Sequence, residues 1–335
     1  MKSRLFLFGL VVCLETVGCA SLSFAAVEPQ KLKIIYSSLS GAYTPLWIAV
    51  EKLLGRKHGL ELESVYVGRG VRPHQLLISG DAQYVASTGT GVVASYAVGL
   101  KDLVIIASFA DSTGSSIFSK PEIRNLAELR GKVIGAGRPG GLSDTLLAYI
   151  LKRRLSLDAT RDVKVVRLGD DPSIFPALEH GVIDAGMLTT PARLLAKKRG
   201  FRELLDLDEL GFQYPYVGIS TLKAIVRKNP ETTQRLIRTL IDGIEILKTS
   251  KEESLHAMKR YLRGSSDEIL EATFLEATYG YFGTKIQKFP YPSIDAIKTA
   301  LDMMSDQQPQ ARNVDPLEVV DLSFVRQVES GLVIQ

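Results

Sequence analysis

From Lys31 to Arg199, short runs of β-branched and apolar residues alternate with segments whose apolar residues recur at helical spacing. This alternation is the tightest constraint on what the chain can become. A strand, a helix and a second strand bring the chain back to the same end of a sheet, so successive strands run parallel and helices cover the faces. Leu32–Tyr36, Leu60–Val67, Tyr84–Ser87 and Leu103–Phe109 are the strands of a first round. Pro45–Leu54, Pro73–Ser79 and Gly91–Val98 are the helices between them. The pattern restarts after Ser119–Lys120–Pro121. Lys132–Ala136, Val163–Leu168 and Ala185–Leu188 read as strands, and Leu126–Leu129, Ser143–Arg154, Ser173–His180 and Ala192–Arg199 as helices. Two parallel sheets of similar size are expected, repeated in architecture but not in sequence.

Beyond Tyr216 strand-like runs give way to helices: Pro230–Thr249, Lys251–Leu262, Ser266–Tyr281, Ser293–Met304 and Ser323–Gly331. Helices without strands must bury their apolar stripe on a host, and the first sheet is the natural one. The expected fold class is therefore α/β, with two doubly wound lobes joined by a hinge. Residues 31–113 plus 217–335 form lobe 1, and residues 116–213 form lobe 2. The crossings fall near Thr113–Ser116 and Gln213–Val217, as few-residue connections suited to a hinge.

The first residues have a different grammar. Lys2 and Arg4 precede an apolar run from Leu5 to Leu14, and small residues follow, ending Ser23–Phe24–Ala25–Ala26. Residues 1–25 read as a secretory signal peptide cut after Ala25. A lipoprotein site at Thr16–Val17–Gly18–Cys19 is the second reading, with Glu15 and Thr16 against it. The run is about half of the ~20 residues that a membrane span needs. The chain's two cysteines, Cys13 and Cys19, both lie in this segment, so the exported chain has no disulfide, cysteine metal site or cysteine nucleophile. The net charge of +4 is too mild and too evenly spread to argue for nucleic acid or an anionic membrane. No metal or other cofactor is expected.

In open α/β sheets, ligands bind beyond the carboxyl ends of the strands, against helix N-termini. Five loops occupy such places. The first runs Ser37–Ser38–Leu39–Ser40–Gly41–Ala42–Tyr43, with Thr44 as N-cap and Pro45 at the first helical position. The second is Ser87–Thr88–Gly89–Thr90–Gly91, and the third Asp111–Ser112–Thr113–Gly114–Ser115. The fourth is Gly137–Arg138–Pro139–Gly140–Gly141–Leu142 with Ser143 as N-cap, and the fifth Thr189–Thr190–Pro191. Hydroxyls, glycines and free N–H groups dominate them, a set that binds a small polar ligand without a catalytic side chain. Ser40, Gly41, Tyr43, Thr88, Gly89, Thr90, Thr113, Gly140, Gly141, Ser143 and Thr189 are the expected ligand-binding residues. Arg138 favours an anion nearby and Asp144 disfavours one, so the ligand's charge stays open.

Other chemistry finds no constellation. His58, His74, His180 and His256 show no metal-ligand spacing, and His58–Gly59 and His180–Gly181 read as helix ends. No Gly-x-Ser-x-Gly elbow is present. Asp170–Asp171 abut Pro172 as a helix start, and Asp184 reads as a turn-fixing residue before a strand. Trp47 is a core residue by position. Tyr43, Phe109 and Tyr216 lie close enough to loops to meet a ligand.

Several segments in this order resemble the nitrate/sulfonate/taurine-type solute-binding proteins of ABC importers. They are Tyr36–Gly41, Pro45–Ala49, Lys57–Glu61, Gln75–Asp81, Leu129–Lys132 and Gly181–Ala185. The resemblance covers most of the exported chain. It implies a type II periplasmic-binding-protein fold, a monomer that closes on a small molecule in the periplasm, and an ABC permease as partner. It does not carry a ligand identity. The same superfamily includes a thiamine-pyrimidine synthase and aromatic desulfinases. This chain lacks the cysteine-rich motif of the former and the nucleophilic cysteine of the latter, so an enzyme is the less favoured reading. A ligand-binding partner of a membrane sensor kinase is a further alternative.

Overall fold

The computed structural model describes residues 28–67, 72–137, 139, 142–169, 173–262, 268–306 and 308–333. The signal-peptide reading, Arg138, Gly140, Gly141 and Asp170–Asp171 lie outside the described residues.

Among the described residues, ten strands form two five-stranded sheets. They are β1 (Gln30–Tyr36), β2 (Leu60–Tyr66), β3 (Tyr84–Ser87), β4 (Leu103–Ala110), β5 (Ser115–Ser119), β6 (Val133–Ala136), β7 (Lys164–Arg167), β8 (Ala185–Thr189), β9 (Arg202–Asp206) and β10 (Val217–Leu222). The first sheet has the order β2-β1-β3-β10-β4 and the second β7-β6-β8-β5-β9. Each sheet is four parallel strands with one antiparallel strand in the fourth place, β10 in the first and β5 in the second.

This corrects the expectation of purely parallel sheets, and the reason is topological. The chain leaves the first sheet after Ala110 and enters the second at Ser115. It leaves the second after Asp206 and re-enters the first at Val217. Both crossovers lie at the carboxyl ends of the parallel strands. A strand that begins there can only run away from that end, so β5 and β10 oppose their neighbours. β5, β9 and β10 lie where the sequence pattern predicts no strand. Ser115–Ser119 and Val217–Leu222 each carry three Ser, Thr or Gly residues, yet nearly all of their residues are buried, because each strand lies between two others.

The helices are α1 (Thr44–Glu51), α2 (Arg72–Ile78), α3 (Thr90–Ala97), α4 (Leu142–Arg154), α5 (Ile174–Glu179), α6 (Ala192–Lys198), α7 (Lys223–Lys228), α8 (Pro230–Thr249), α9 (Lys251–Tyr261), α10 (Glu268–Lys285), α11 (Ile294–Ser305), α12 (Pro316–Val319) and α13 (Ser323–Val333). α1 stops three residues short of the expected Leu54, because Leu53 takes a left-handed conformation (φ 52°) and a 3-10 turn, Leu54–His58, follows. Gly59 and Gly181, both at φ 72°, end their helical segments as the His–Gly pairs suggested. α10 runs on to Lys285, past the expected Tyr281.

The late helices pack on the first sheet. α8 crosses α1 so closely that a Cβ on Gly243 would lie 2.2 Å from the Pro45 carbonyl oxygen. On that side Trp47 is fully buried and stacks on Tyr261, with centroids 4.9 Å apart. α11 packs with α2 and α3 on the other face, through Leu77, Val93, Ala97, Ile297 and Ala300. The C-terminal segment also protects the edge strand β4: Val320 pairs with Ile105, and the Asp321 N–H donates to the Ile105 carbonyl at 2.8 Å. Among the described residues no helix is long and apolar enough to cross a membrane.

Candidate functional site

The crossovers, residues 111–114 and 207–216, lie at the carboxyl ends of the parallel strands; the third loop is the first of them, and the first, second and fifth loops attach there. The first loop does so through Ser40, whose Oγ accepts from the Tyr216 hydroxyl at 3.0 Å. Ser40 also caps the 3-10 turn Gly41–Tyr43. Thr44 is therefore not the cap; it is the first residue of α1, and its hydroxyl donates back to the Gly41 carbonyl at 2.7 Å. Gly41 is buried beneath α10, where a Cβ would lie 2.2 Å from Thr278 Cγ2 and 2.7 Å from Phe282 Cδ2. Tyr43 is 1% exposed, between the rings of Tyr36 and Trp47, with its hydroxyl 3.2 Å from Ser37 Oγ.

The second loop is fixed by Gly89, whose N–H donates to the Pro215 carbonyl at 2.7 Å. A side chain at Gly89 would collide with Pro215 and Ile105. Thr88 and Thr90 are half-buried with their hydroxyls 3.0 Å apart. His74 lies beneath this loop, its Nε2 3.3 Å from Ser87 Oγ and its ring against Gly91. Burial lowers its pKa to about 4, so it is a neutral packing group at ordinary pH.

The third and fifth loops join each other. The Thr190 N–H and hydroxyl both donate to the Gly114 carbonyl, at 2.9 and 3.2 Å. Thr189 pairs with Ser115 at the start of β5 and is half-buried. Thr113 is buried, its hydroxyl 2.5 Å from Ser115 Oγ. In the fourth loop Ser143 is not an N-cap. It is the second residue of α4, fully buried, and its Oγ accepts from the Gly137 N–H at 2.8 Å. Asp144 beside it is paired to Arg167 Nε at 2.9 Å.

The predicted residues thus fall into two sets. Ser40, Thr88, Thr90 and Thr189 keep part of their surface open, whereas Gly41, Tyr43, Gly89, Thr113 and Ser143 are buried and hold the loops in shape. Phe109 is 2% and Tyr216 8% exposed. Among the described residues no cluster of three His, Cys, Asp or Glu side chains could hold a metal ion.

A charged group beside these loops was missed in the sequence. Arg193, in the first turn of α6, is 9% exposed. Its guanidinium donates to Ser116 Oγ at 2.9 Å, pairs with Asp206 at 2.9 Å and approaches Asp208 at 3.5 Å. It also lies 5.4 Å over the ring of Tyr281. The one available signal was an arginine two residues after Pro191; nothing in the sequence ties it to Tyr281. Asp111, half-buried at the end of β4, accepts from Ser108 Oγ at 2.8 Å and from the Ser293 N–H. Burial outweighs both bonds and raises its pKa to about 6.

Two mixed α/β sheets linked by paired crossovers, with ligand-type loops at the linked ends, define a periplasmic-binding-protein fold. The chain matches the family model described as NMT1/THI5 like over residues 41–254, more than half of its 335 residues, and belongs to that family. The fold is shared with a protein of Bordetella bronchiseptica RB50 at 22% identity and a TM-score of 0.70, covering 91% of this chain and 98% of that one. It is shared with the periplasmic aliphatic sulphonate binding protein SsuA of Escherichia coli, at 19% identity and a TM-score of 0.69, covering 87% and 97%. The periplasmic nitrate-binding protein NrtA of Synechocystis PCC 6803 is similar at 14% identity and a TM-score of 0.67, covering 92% and 90%. A comparison of the sequence with curated proteins finds no match.

Proposed function

We propose that this chain is an extracytoplasmic solute-binding receptor that captures a small polar molecule between its lobes and delivers it to an ABC permease. The observation that carries this reading is the anchoring of hydroxyl-rich loops from both lobes on the two crossovers, through Ser40–Tyr216, Gly89–Pro215 and Gly114–Thr190. Loops fixed in this way keep their donors and acceptors arranged before the ligand arrives, which lowers the ordering cost of binding. In this reading Ser40, Thr88, Thr90 and Thr189 bond the ligand directly, with Gly140 and Gly141 supplying N–H groups near the start of α4. Gly41, Tyr43, Gly89, Thr113 and Ser143 hold the loops. Residues 31–113 with 217–335, and residues 116–213, move as two bodies, and closure buries the ligand. The protein acts as a monomer, exported to the periplasm by residues 1–25.

The test is mass spectrometry of small molecules released from the purified, denatured protein, followed by titration of whatever is found. Aliphatic sulphonates and nitrate, the solutes in the names of its structural neighbours, are the first compounds to titrate directly. A receptor returns its ligand unchanged, and measured turnover would replace this reading with the enzyme reading. Replacing Ser40 and Thr88 together by Ala removes two hydrogen bonds of about 1 kcal/mol each and weakens affinity about tenfold or more. Unchanged affinity would overturn the site assignment.

A further inference from the structure

Two consecutive residues of α10 touch the first loop and the crossover that leads to lobe 2. Phe282 packs on Gly41 of the first loop, in lobe 1. Tyr281 packs on Gly114, in the crossover from β4 to β5, where a Cβ would lie 2.7 Å from the Tyr281 ring and 2.4 Å from Thr190 Oγ1. Gly114 has φ +58° as well, so both its conformation and its space suit glycine.

The Tyr281 hydroxyl goes further. It lies 2.7 Å from Ser112 Oγ, in the outward crossover, and donates to Asp208 Oδ2 at 2.9 Å, in the returning one. Ser112 Oγ also lies within reach of Asp208 Oδ1, so its single proton goes either to Asp208 or to the Tyr281 oxygen, and the three groups form a triangle. Arg193 of lobe 2 covers the ring from outside, and Lys285, one turn along α10, lies 3.7 Å from Asp208. α10 itself packs on α8 and α9 of lobe 1.

We propose that Tyr281 is a positioning residue that couples the two lobes, its hydroxyl tying both crossovers to a helix of lobe 1. Rotation of one lobe against the other changes the backbone torsions of the crossovers. With the triangle intact, that rotation either breaks a bond to Tyr281 or carries α10 with it. The hydroxyl therefore biases the relative orientation of the lobes. The inference concerns interlobe geometry and stands apart from the ligand-binding reading.

The test needs no ligand. With Cys13→Ser and Cys19→Ser, spin labels go uniquely onto Glu252→Cys in α9 and Lys198→Cys at the end of α6, both exposed. Double electron–electron resonance then reads the interlobe distance. Tyr281→Phe keeps the ring on Gly114 and under Arg193 but removes the hydroxyl. The expected result is a distance distribution shifted or broadened by several ångström. A residue that only packs would leave the distribution unchanged, and that result overturns the proposal. If Tyr281→Phe does not fold, Ser112→Ala decides in the same way, because it cuts the triangle without touching the aromatic packing. Where both variants fold, the double variant adds no further shift, as expected of one network.

Discussion

Asp111 shows how one residue at a crossover links pH to stability. Its folded pKa, about 6, lies above the ordinary 3.8. Burial therefore favours the protonated form, and the stability tied to that form is fully present below about pH 4 and is lost as pH rises through 6. Asp111→Asn mimics the protonated acid at every pH. The melting temperature of this variant relative to the parent should climb between about pH 4 and pH 6 and then level off. A difference that stays flat across that window would remove the buried-carboxyl account. Arg193 presents the opposite case, a buried charge with partners. Removing it leaves Asp206 and Asp208 without their closest cation, so Arg193→Ala should cost about 3–5 kcal/mol in chemical denaturation. Neither role is visible locally in the sequence, since Asp111 reads only as a loop residue and Arg193 only as a polar helix position.

At the scale of elements, α1 and α8 depend on a residue that sequence periodicity undervalues. Gly243 sits in the middle of a long helix, where glycine is ordinarily unfavourable. It is there because α8 crosses directly over the Pro45 carbonyl. Gly243→Ala gains helix propensity but pushes a methyl group into backbone 2.2 Å away. Overpacking should win, with a net loss of about 1–3 kcal/mol and faster hydrogen exchange in α1. A neutral or stabilising substitution would show that the two helices can separate without cost. The helices themselves were largely legible: α8, α9, α11 and α13 lie close to their expected bounds, because apolar spacing and caps such as Ser250 and Ser293 are local signals. The strands β5, β9 and β10 were not. Their pairing partners, β8 and β9 for β5 or β3 and β4 for β10, are remote in sequence, and burial came from those partners rather than from apolar side chains.

For the whole molecule, the two flanks of the crossovers are held by different physics. On the α10 side the network is buried. On the other side α4 meets α11 through exposed pairs: Lys152 with Asp306 at 2.9 Å, Arg153 with Asp302 and Asp306 at 3.3 Å each, and the Tyr149 hydroxyl with Asp302 at 2.8 Å. Exposed pairs of this kind contribute between about 0 and 1 kcal/mol and are screened by salt. Replacing Asp302 and Asp306 by Asn should therefore lower stability by less than about 1 kcal/mol at low ionic strength, and by nothing measurable at about 1 M salt. The loss in Arg193→Ala should persist at both salt concentrations. Equal salt sensitivity on the two flanks would show that the buried network is open to solvent.

Sequence by itself determined the two rounds of strand and helix, the late helical run and the loops at the strand ends, because each depends on spacing and turn chemistry within a few residues. It also pointed to the five hydroxyl- and glycine-rich loops. Only the tertiary structure decided which of those residues keep an open surface and which hold the loops. The same holds for the direction of β5 and β10, and for the contact of Tyr281 with Ser112 and Asp208, 169 and 73 residues away. Those outcomes follow from where the chain crosses between the sheets, a constraint carried by the whole path and by no single stretch of it.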